Sequence, residues 1–197
     1  MLSTSQGLQC LGGYGYCEEF PLEQHFRDAR IHPIHEGTTG IQALVLLARN
    51  VTMKNGMAFN LFLEEVGKVI ALTETDEVLK PYGRQLAQAL ERLQAVTNHL
   101  LGLAMQGSID LFLADATLYI ECFGIIAAAW QWLLQAGVAR RALAKGPVGD
   151  DANFYQGKMY AFRYFFGYEL PKIEGLATRL LNSDGLTVEM KEDFFND

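Results

Sequence analysis

The sequence predicts an all-α fold: an antiparallel helix bundle preceded by an irregular, Gly-rich N-terminal segment. Three observations point there. After Thr39, apolar residues recur at steps of three and four through several long stretches. No segment of useful length alternates with a period of two, and no internal repeat appears. Glycines, prolines and turn signals crowd residues 1–40 instead.

The elements follow in order. "LGGYGYCEEFP" excludes regular helix, because Gly12, Gly13 and Gly15 crowd it and Pro21 ends it. A short helix fits Leu22 to Arg27. Pro33 then disfavours helix at Ile31 and His32. From Thr39, the residues Ile41, Leu44, Val45 and Ala48 fall on one helical face. Thr38 or Thr39 is the expected N-cap, its hydroxyl accepting from an unpaired backbone N–H. "GMAFNLFLEEVGKVIAL" predicts a second amphipathic helix, with Phe59, Phe62, Val66, Val69 and Ile70 as its apolar stripe.

A third helix is expected from Asp76 to Gln106. Leu79, Tyr82, Leu86, Ala89, Leu93, Val96, Leu100 and Leu103 form the seam of a bundle helix, and Pro81 is expected to kink its start. A fourth, Ser108 to about Ala144, is apolar on most faces and therefore central. "AKGPVGDD" ends it. A fifth runs from Asp151 to Leu181, carries eight aromatics from Phe154 to Tyr168, and is bent or split at Pro171. The expected division is 1–55, a helical bundle over 56–182, and an acidic, loosely held tail over 183–197.

Composition bounds the function. At 197 residues the chain suffices for one large domain or the end of a longer protein. Half its residues are hydrophobic and 20% are charged, which leaves surface suited to burial against other polypeptide. The net charge of −7, with no basic run, disfavours nucleic acid and anionic membranes as partners. Cys10, Cys17 and Cys122 form no framework and read as free thiols in a reducing cytoplasm. Leu118 to Ala139 is long enough to span a bilayer, yet Glu121, Gln131 and Gln135 interrupt it, so a buried helix is expected and no membrane span.

Four stretches could carry chemistry. In "QCLGGYGY" adjacent glycines allow a backbone to approach an anionic group, or make a plain tight turn; no strand precedes them, so a dinucleotide fold is excluded. His32, His35 and Glu36 lack the ligand number and spacing of a metal site, and none is expected. Glu36, beside Gly37, is either a solvated acid at a helix start or a general base aimed into a cleft, where partial burial would make it more basic. Asp110, Asp115 and Glu121 on the apolar fourth helix are assigned to structure, as are the aromatics of the bundle.

"LQCLGGYGYCEEFPLEQHFRDARIHPIHEGTTGIQ" resembles the C-terminal signature of the acyl-CoA dehydrogenases, in one uninterrupted block. The elements are a Gln two residues before the Leu-Gly-Gly, the Arg-Asp of "RDARI", and Glu-Gly-Thr with Ile-Gln beyond. "FNLFLEEVGKVIAL", "LYIECFGIIAAAWQWLLQAG" and "FYQGKMYAFRYFFGYELPKI" resemble the extra C-terminal helical domain of a larger-subunit branch, which includes methylthiopropanoyl-CoA dehydrogenases.

The resemblance implies α,β-dehydrogenation of an acyl-CoA thioester with FAD as hydride acceptor. It makes Glu36 the catalytic base and places Gly37 at the thioester pocket. It assigns Thr38, Thr39 and Gly40 to flavin contacts, and Gln9, Cys10, Leu11, Gly12 and Gly13 to the FAD of a neighbouring subunit, hence a homo-oligomer. Residues 1–55 become the end of the family's helical domain. His35 departs from the family, which usually has an aromatic residue there. The family's N-terminal helices and middle β-domain, which supply most flavin and acyl-CoA contacts, have no counterpart in these residues. The expectation is therefore a C-terminal fragment, inactive alone. The acyl chain and the electron acceptor stay open. The rival expectation is a catalytically silent helical association module.

Overall fold

The structure is a computed structural model and describes residues 2–195. The described residues are mostly helical, without strands, and the chain divides into two compact units, Met1–Gln42 and Ala43–Asp197.

The first unit contains α1 (Leu2–Leu11), a 3₁₀ turn (Gly12–Tyr16) and α2 (Leu22–Arg30). The α2 helix runs three residues beyond the expected Arg27. Its end is satisfied by backbone bonds from Ile31 N–H to the Asp28 and Ala29 carbonyls. Gly7 lets α1 and α2 pack closely, since a Cβ there would lie 3.2 Å from Leu22 Cδ1. Gly15 is the only buried residue among the described residues of this unit, and a Cβ on it would sit 2.6 Å from the Leu8 carbonyl oxygen. The third glycine of "GGYGY" is thus required for packing the turn onto α1.

Among the described residues of the first unit no hydrophobic side chain is buried. Tyr14, Tyr16, Phe20, Ile31, Ile34 and Ile41 all stand exposed. A unit of this kind has no core of its own, and its helices gain little from burial.

Helix α3 (Thr39–Leu44) leads the chain into the second unit and continues as a π-helical segment (Val45–Asn50), where Val51 N–H reaches the Leu46 carbonyl at 2.9 Å. Then come α4 (Met53–Thr73), α5 (Lys80–Met105), α6 (Ile109–Ala114), α7 (Ala116–Leu143), α8 (Gly149–Tyr164), α9 (Ile173–Asn182) and a short α10 (Leu186–Glu189). Helix α4 holds left-handed residues at Lys54, Asn55 and Gly56, so its regular part starts where the apolar stripe predicts.

The seam foreseen on α5 is the core. Leu79, Leu86, Ala89, Leu93, Val96 and Leu100 are buried, with Tyr82 and Leu103 packed against them. Each fully buried Leu contributes roughly 1.5–3 kcal/mol. Pro81 does not kink the helix. It lies in the first turn, where no intrahelical N–H is needed.

The single fourth helix is corrected to two. Asp115 leaves helical geometry (φ −106°, ψ 27°) between α6 and α7. There its carboxylate accepts from Arg179 Nε of α9 at 3.1 Å. Helix α7 packs against α4, α5, α8 and α9. It sends Tyr119, Cys122, Ile126, Ala129, Leu133 and Ala136 into the core at steps of three and four. By length and composition it could cross a membrane, but its place is the centre of this unit. The Tyr119 hydroxyl pairs with Thr97 at 2.8 Å, which satisfies the polar groups at that depth. Burial pushes the Tyr119 hydroxyl up to about 12, against the opposing bond from Thr97. Burial likewise pushes the Cys122 thiol up to about 11, so it stays unreactive at neutral pH.

The fifth helix splits as Pro171 predicts. After α8 come a π-helical turn (Phe165–Glu169) and a 3₁₀ turn (Leu170–Lys172) before α9. Of its eight aromatics, Phe162 and Phe166 are buried together against Tyr82, whereas Tyr160, Tyr164 and Tyr168 are exposed.

Candidate functional site

The chemistry-bearing stretch of the first unit lies between α2 and α3. After Ile31 the chain turns back on itself through His32–Thr38. Ile34 and His35 N–H groups bond to the Ile31 carbonyl, and Thr39 N–H bonds to the Pro33 carbonyl at 3.0 Å. The expected hydroxyl cap is absent. Thr39 Oγ1 donates to the same Pro33 carbonyl at 3.4 Å, so the start of α3 is tied back to the turn instead.

Glu36 sits at the tip of this turn with φ +58°, a left-handed backbone that a residue with a Cβ adopts at a cost of about 1–2 kcal/mol. Gly37 follows at φ +118°. A Cβ there would meet Ile41 Cγ2 at 3.2 Å and Gln42 Nε2 at 3.3 Å, so glycine is required on both counts. The Glu36 carbonyl accepts from Gln42 Nε2 at 2.6 Å. Its side chain is exposed, not partly buried as expected of a base in a cleft. Its carboxylate has no ion-pair or hydrogen-bond partner among the described residues.

Gln42 was not among the residues singled out for chemistry. Its signal was its position, six residues after the acid in "HEGTTGIQ" and one turn into the helix that follows.

The second stretch closes α1. Gln9, Cys10 and Leu11 form its last turn, with Gln9 and Cys10 exposed. Gly12, at φ +59°, and Gly13 begin the 3₁₀ turn, and a Cβ on either would meet nothing within 4 Å. These two glycines therefore serve no internal packing, unlike Gly15. No hydrogen bond links Gln9–Gly13 to Glu36–Gly40 among the described residues. His32 and His35 are exposed, and no group of three or more His, Cys, Asp or Glu side chains among the described residues could hold a metal ion. Of the acids assigned to structure, Asp115 pairs with Arg179, while Asp110 and Glu121 are exposed.

Residues 62–191 match the family described as "Acetyl-CoA dehydrogenase C-terminal like", and residues 2–51 match "Acyl-CoA dehydrogenase, C-terminal domain". The chain belongs to the acyl-CoA dehydrogenases. The chain is 29% identical to the broad-specificity linear acyl-CoA dehydrogenase FadE5 of Mycobacterium tuberculosis, over 97% of its own length and 32% of that protein. It is 36% identical to the 3-methylmercaptopropionyl-CoA dehydrogenase of Ruegeria pomeroyi, over 79% of its length and 26% of that protein. The mitochondrial short-chain specific acyl-CoA dehydrogenase of Bos taurus is 58% identical over 43 residues, 22% of this chain and 10% of that protein. The chain thus spans about a third or less of the length of these relatives.

The first unit offers one open stretch of backbone to a bulky anionic group. Its Gly12–Gly13 backbone is open to close approach, as contact with a diphosphate requires.

Proposed function

We propose that this chain supplies the C-terminal part of an FAD-dependent acyl-CoA dehydrogenase, with Glu36 as the base that removes the α-proton of the acyl thioester. The observation that carries this reading is the backbone of Glu36. An acid in a strained left-handed conformation, pinned by Gln42 through its carbonyl, with its carboxylate unengaged, is an arrangement that folding alone does not favour. A solvated acid at a helix start would need neither the strain nor the tether.

In this reading the Glu36 carboxylate takes the α-proton and becomes the neutral acid. Gly37 keeps the wall beside the thioester free of a side chain. Thr38, Thr39 and Gly40 would hold the flavin of the same protomer, and Gln9 to Gly13 that of a neighbouring one in a homo-oligomer. FAD, when bound, supplies the acceptor for the β-hydrogen, which leaves as hydride so that the product is the 2-enoyl thioester. The exposed apolar residues of the first unit support a missing partner surface: the remainder of the enzyme would cover Tyr14, Phe20, Ile31 and Ile34. The exposed, unpaired Cys10 and Cys17 support a reducing cytoplasm.

The test joins this chain to its upstream sequence. Glu36→Gln is expected to lower enoyl-CoA formation by about 10²–10⁴-fold, the usual contribution of a general base. Unchanged turnover overturns the assignment. The chain alone, given FAD, an acyl-CoA and an electron acceptor, is expected to form no enoyl-CoA.

A second reading is a silent association module, favoured by the exposed face of α8 and its extension. Tyr164 and Tyr168 stack there at 4.6 Å with no core to cover. Under it, Glu36→Gln changes nothing and Tyr164→Ser alters the oligomeric state.

A further inference from the structure

Apart from the residues assigned to dehydrogenation, the second unit contains an open cleft of about 900 Å³ between α4, α7 and α8, closed at one end by the α4–α5 connection. That is within the roughly 300–1,000 Å³ of ligand-binding clefts. Its walls are apolar, with Leu72, Leu134, Val138 and Phe154 among them, and three of these are more than half exposed (Leu72 75%, Val138 53%, Phe154 58%). Exposed apolar side chains gathered around one concavity are unusual on a finished surface.

The charges around the cleft are uneven. Asp76 and Arg140 satisfy each other at 2.6 Å. Arg141 and Lys158 have no carboxylate partner among the described residues, and Glu77 is the one lining acid without an ion pair. The cleft is left net positive within a chain of net charge −7. Lys158 is also held in place. Its ammonium lies 5.3 Å from the Phe154 ring centroid and 5.8 Å from that of Trp132, so aromatic faces position it and its donors stay available.

We propose that this cleft binds a medium-chain fatty carboxylate, with its tail against Leu72, Leu134 and Val138 and its head at the Lys158 ammonium. An apolar trough fits the alkyl chain, and a half-buried cation held beside two aromatic rings at its rim fits the carboxylate. The site is made of second-unit residues only and does not depend on the role of Glu36.

The test uses the whole 197-residue chain, with decanoate as probe and decanol as its uncharged counterpart, followed by calorimetry and tryptophan emission. Decanoate is expected to bind saturably at one site, more tightly than decanol. Lys158→Gln should weaken decanoate about tenfold, the loss of one charge-assisted bond, and leave decanol unchanged. Glu77→Gln should tighten decanoate only. Leu72→Asp, on an exposed position where folding is not at stake, should abolish both; far-UV circular dichroism checks each variant. Absence of saturable binding, equal affinity for the two probes, or indifference to Leu72→Asp overturns the proposal. So does a concentration-dependent dimer that Leu72→Asp dissolves, since a second copy would then be the occupant.

Discussion

The side-chain amide of Gln42 donates to the backbone carbonyl of Glu36 at 2.6 Å, closing a seven-residue loop between the candidate base and the first helical turn beyond it. The bond fixes the peptide plane after Glu36 and hence the direction of its Cα–Cβ vector. Replacing Gln42 by Met keeps length and removes the donor. In the assembled enzyme this is expected to lower kcat by about 10- to 100-fold, with little change in KM, because a misplaced base loses rate and not binding. Faster amide exchange over residues 36–41 should accompany it. Unchanged kcat would show that the tether does not position the acid.

The left-handed backbone of Glu36 sets stability against activity. Glu36→Gly and Glu36→Ala both remove the carboxylate, and both should be inactive. Only glycine relieves the strain at φ +58°. The glycine variant is expected to be more stable than the alanine variant by about 1 kcal/mol, the difference between an L-residue and glycine in that region net of chain entropy. Denaturant unfolding of the assembled enzyme measures it. Equal stabilities would mean that the strain is relieved when the rest of the enzyme is present.

The legible parts of the fold are those that depend on local periodicity. The α5 seam from Leu79 to Leu100 and the stripe of α4 face the core as their spacing predicts, with Val66 and Val69 buried and Phe59, Phe62, Ile70 and Tyr82 partly buried against it, because amphipathic helices fold toward one core. The break at Asp115 was hidden: Leu113, Ala114 and Ala116 favour helix, and the partner that Asp115 meets at the break is an arginine 64 residues later. The conformation of Glu36 was hidden for a related reason. Glutamate has no left-handed preference, and the residue that holds it is contributed by the next helix. Glu36 and Gly37, like Gly12 and Gly13, stand out in the sequence by residue type alone, and the role of each belongs to the proposal. The tether and the strain depend on three-dimensional closure, which no spacing rule encodes.

At Gly83 helices α4 and α5 approach closely. A Cβ added to it would collide with the Oγ1 of Thr73, which is buried and donates to the Ile70 carbonyl at 2.7 Å. Helices α4 and α5 are therefore separated at this point by a hydroxyl and nothing more. Gly83→Ala is expected to destabilise the second unit by about 1–3 kcal/mol through overpacking, despite alanine's better helix propensity. The double variant Gly83→Ala with Thr73→Ala removes the clashing oxygen and should recover part of that loss. Thermal unfolding of the three chains checks it. A stabilising Gly83→Ala would mean that the helices part at no cost.

Asp76 makes two kinds of contact, and pH separates them. Its Oδ1 accepts from the backbone N–H groups of Val78 (2.9 Å) and Leu79 (3.1 Å), which closes the turn ahead of α5, and its Oδ2 accepts from Arg140 Nε. Burial alone would raise the carboxyl's pKa, but the Arg140 guanidinium and the two backbone amides outweigh it and hold it below its usual 3.8. The unfolded chain therefore takes up this proton at a higher pH than the folded one. The contribution of the carboxylate is complete above the ordinary carboxylate range and is lost as pH falls through the folded value. Asp76→Ala removes the turn closure as well and is expected to cost about 0.5–2 kcal/mol at neutral pH. Asp76→Asn keeps an acceptor for the two amides and loses only the ion pair. With the side chains of Arg140 and Asp76 36% and 27% exposed, that pair is worth about 1 kcal/mol or less. The gap between wild type and Asp76→Asn should thus be small and constant above about pH 5, and should close below about pH 4. Denaturant unfolding from pH 3 to pH 7 reads the gap directly, and a difference that widens toward acid would reverse the assigned sign.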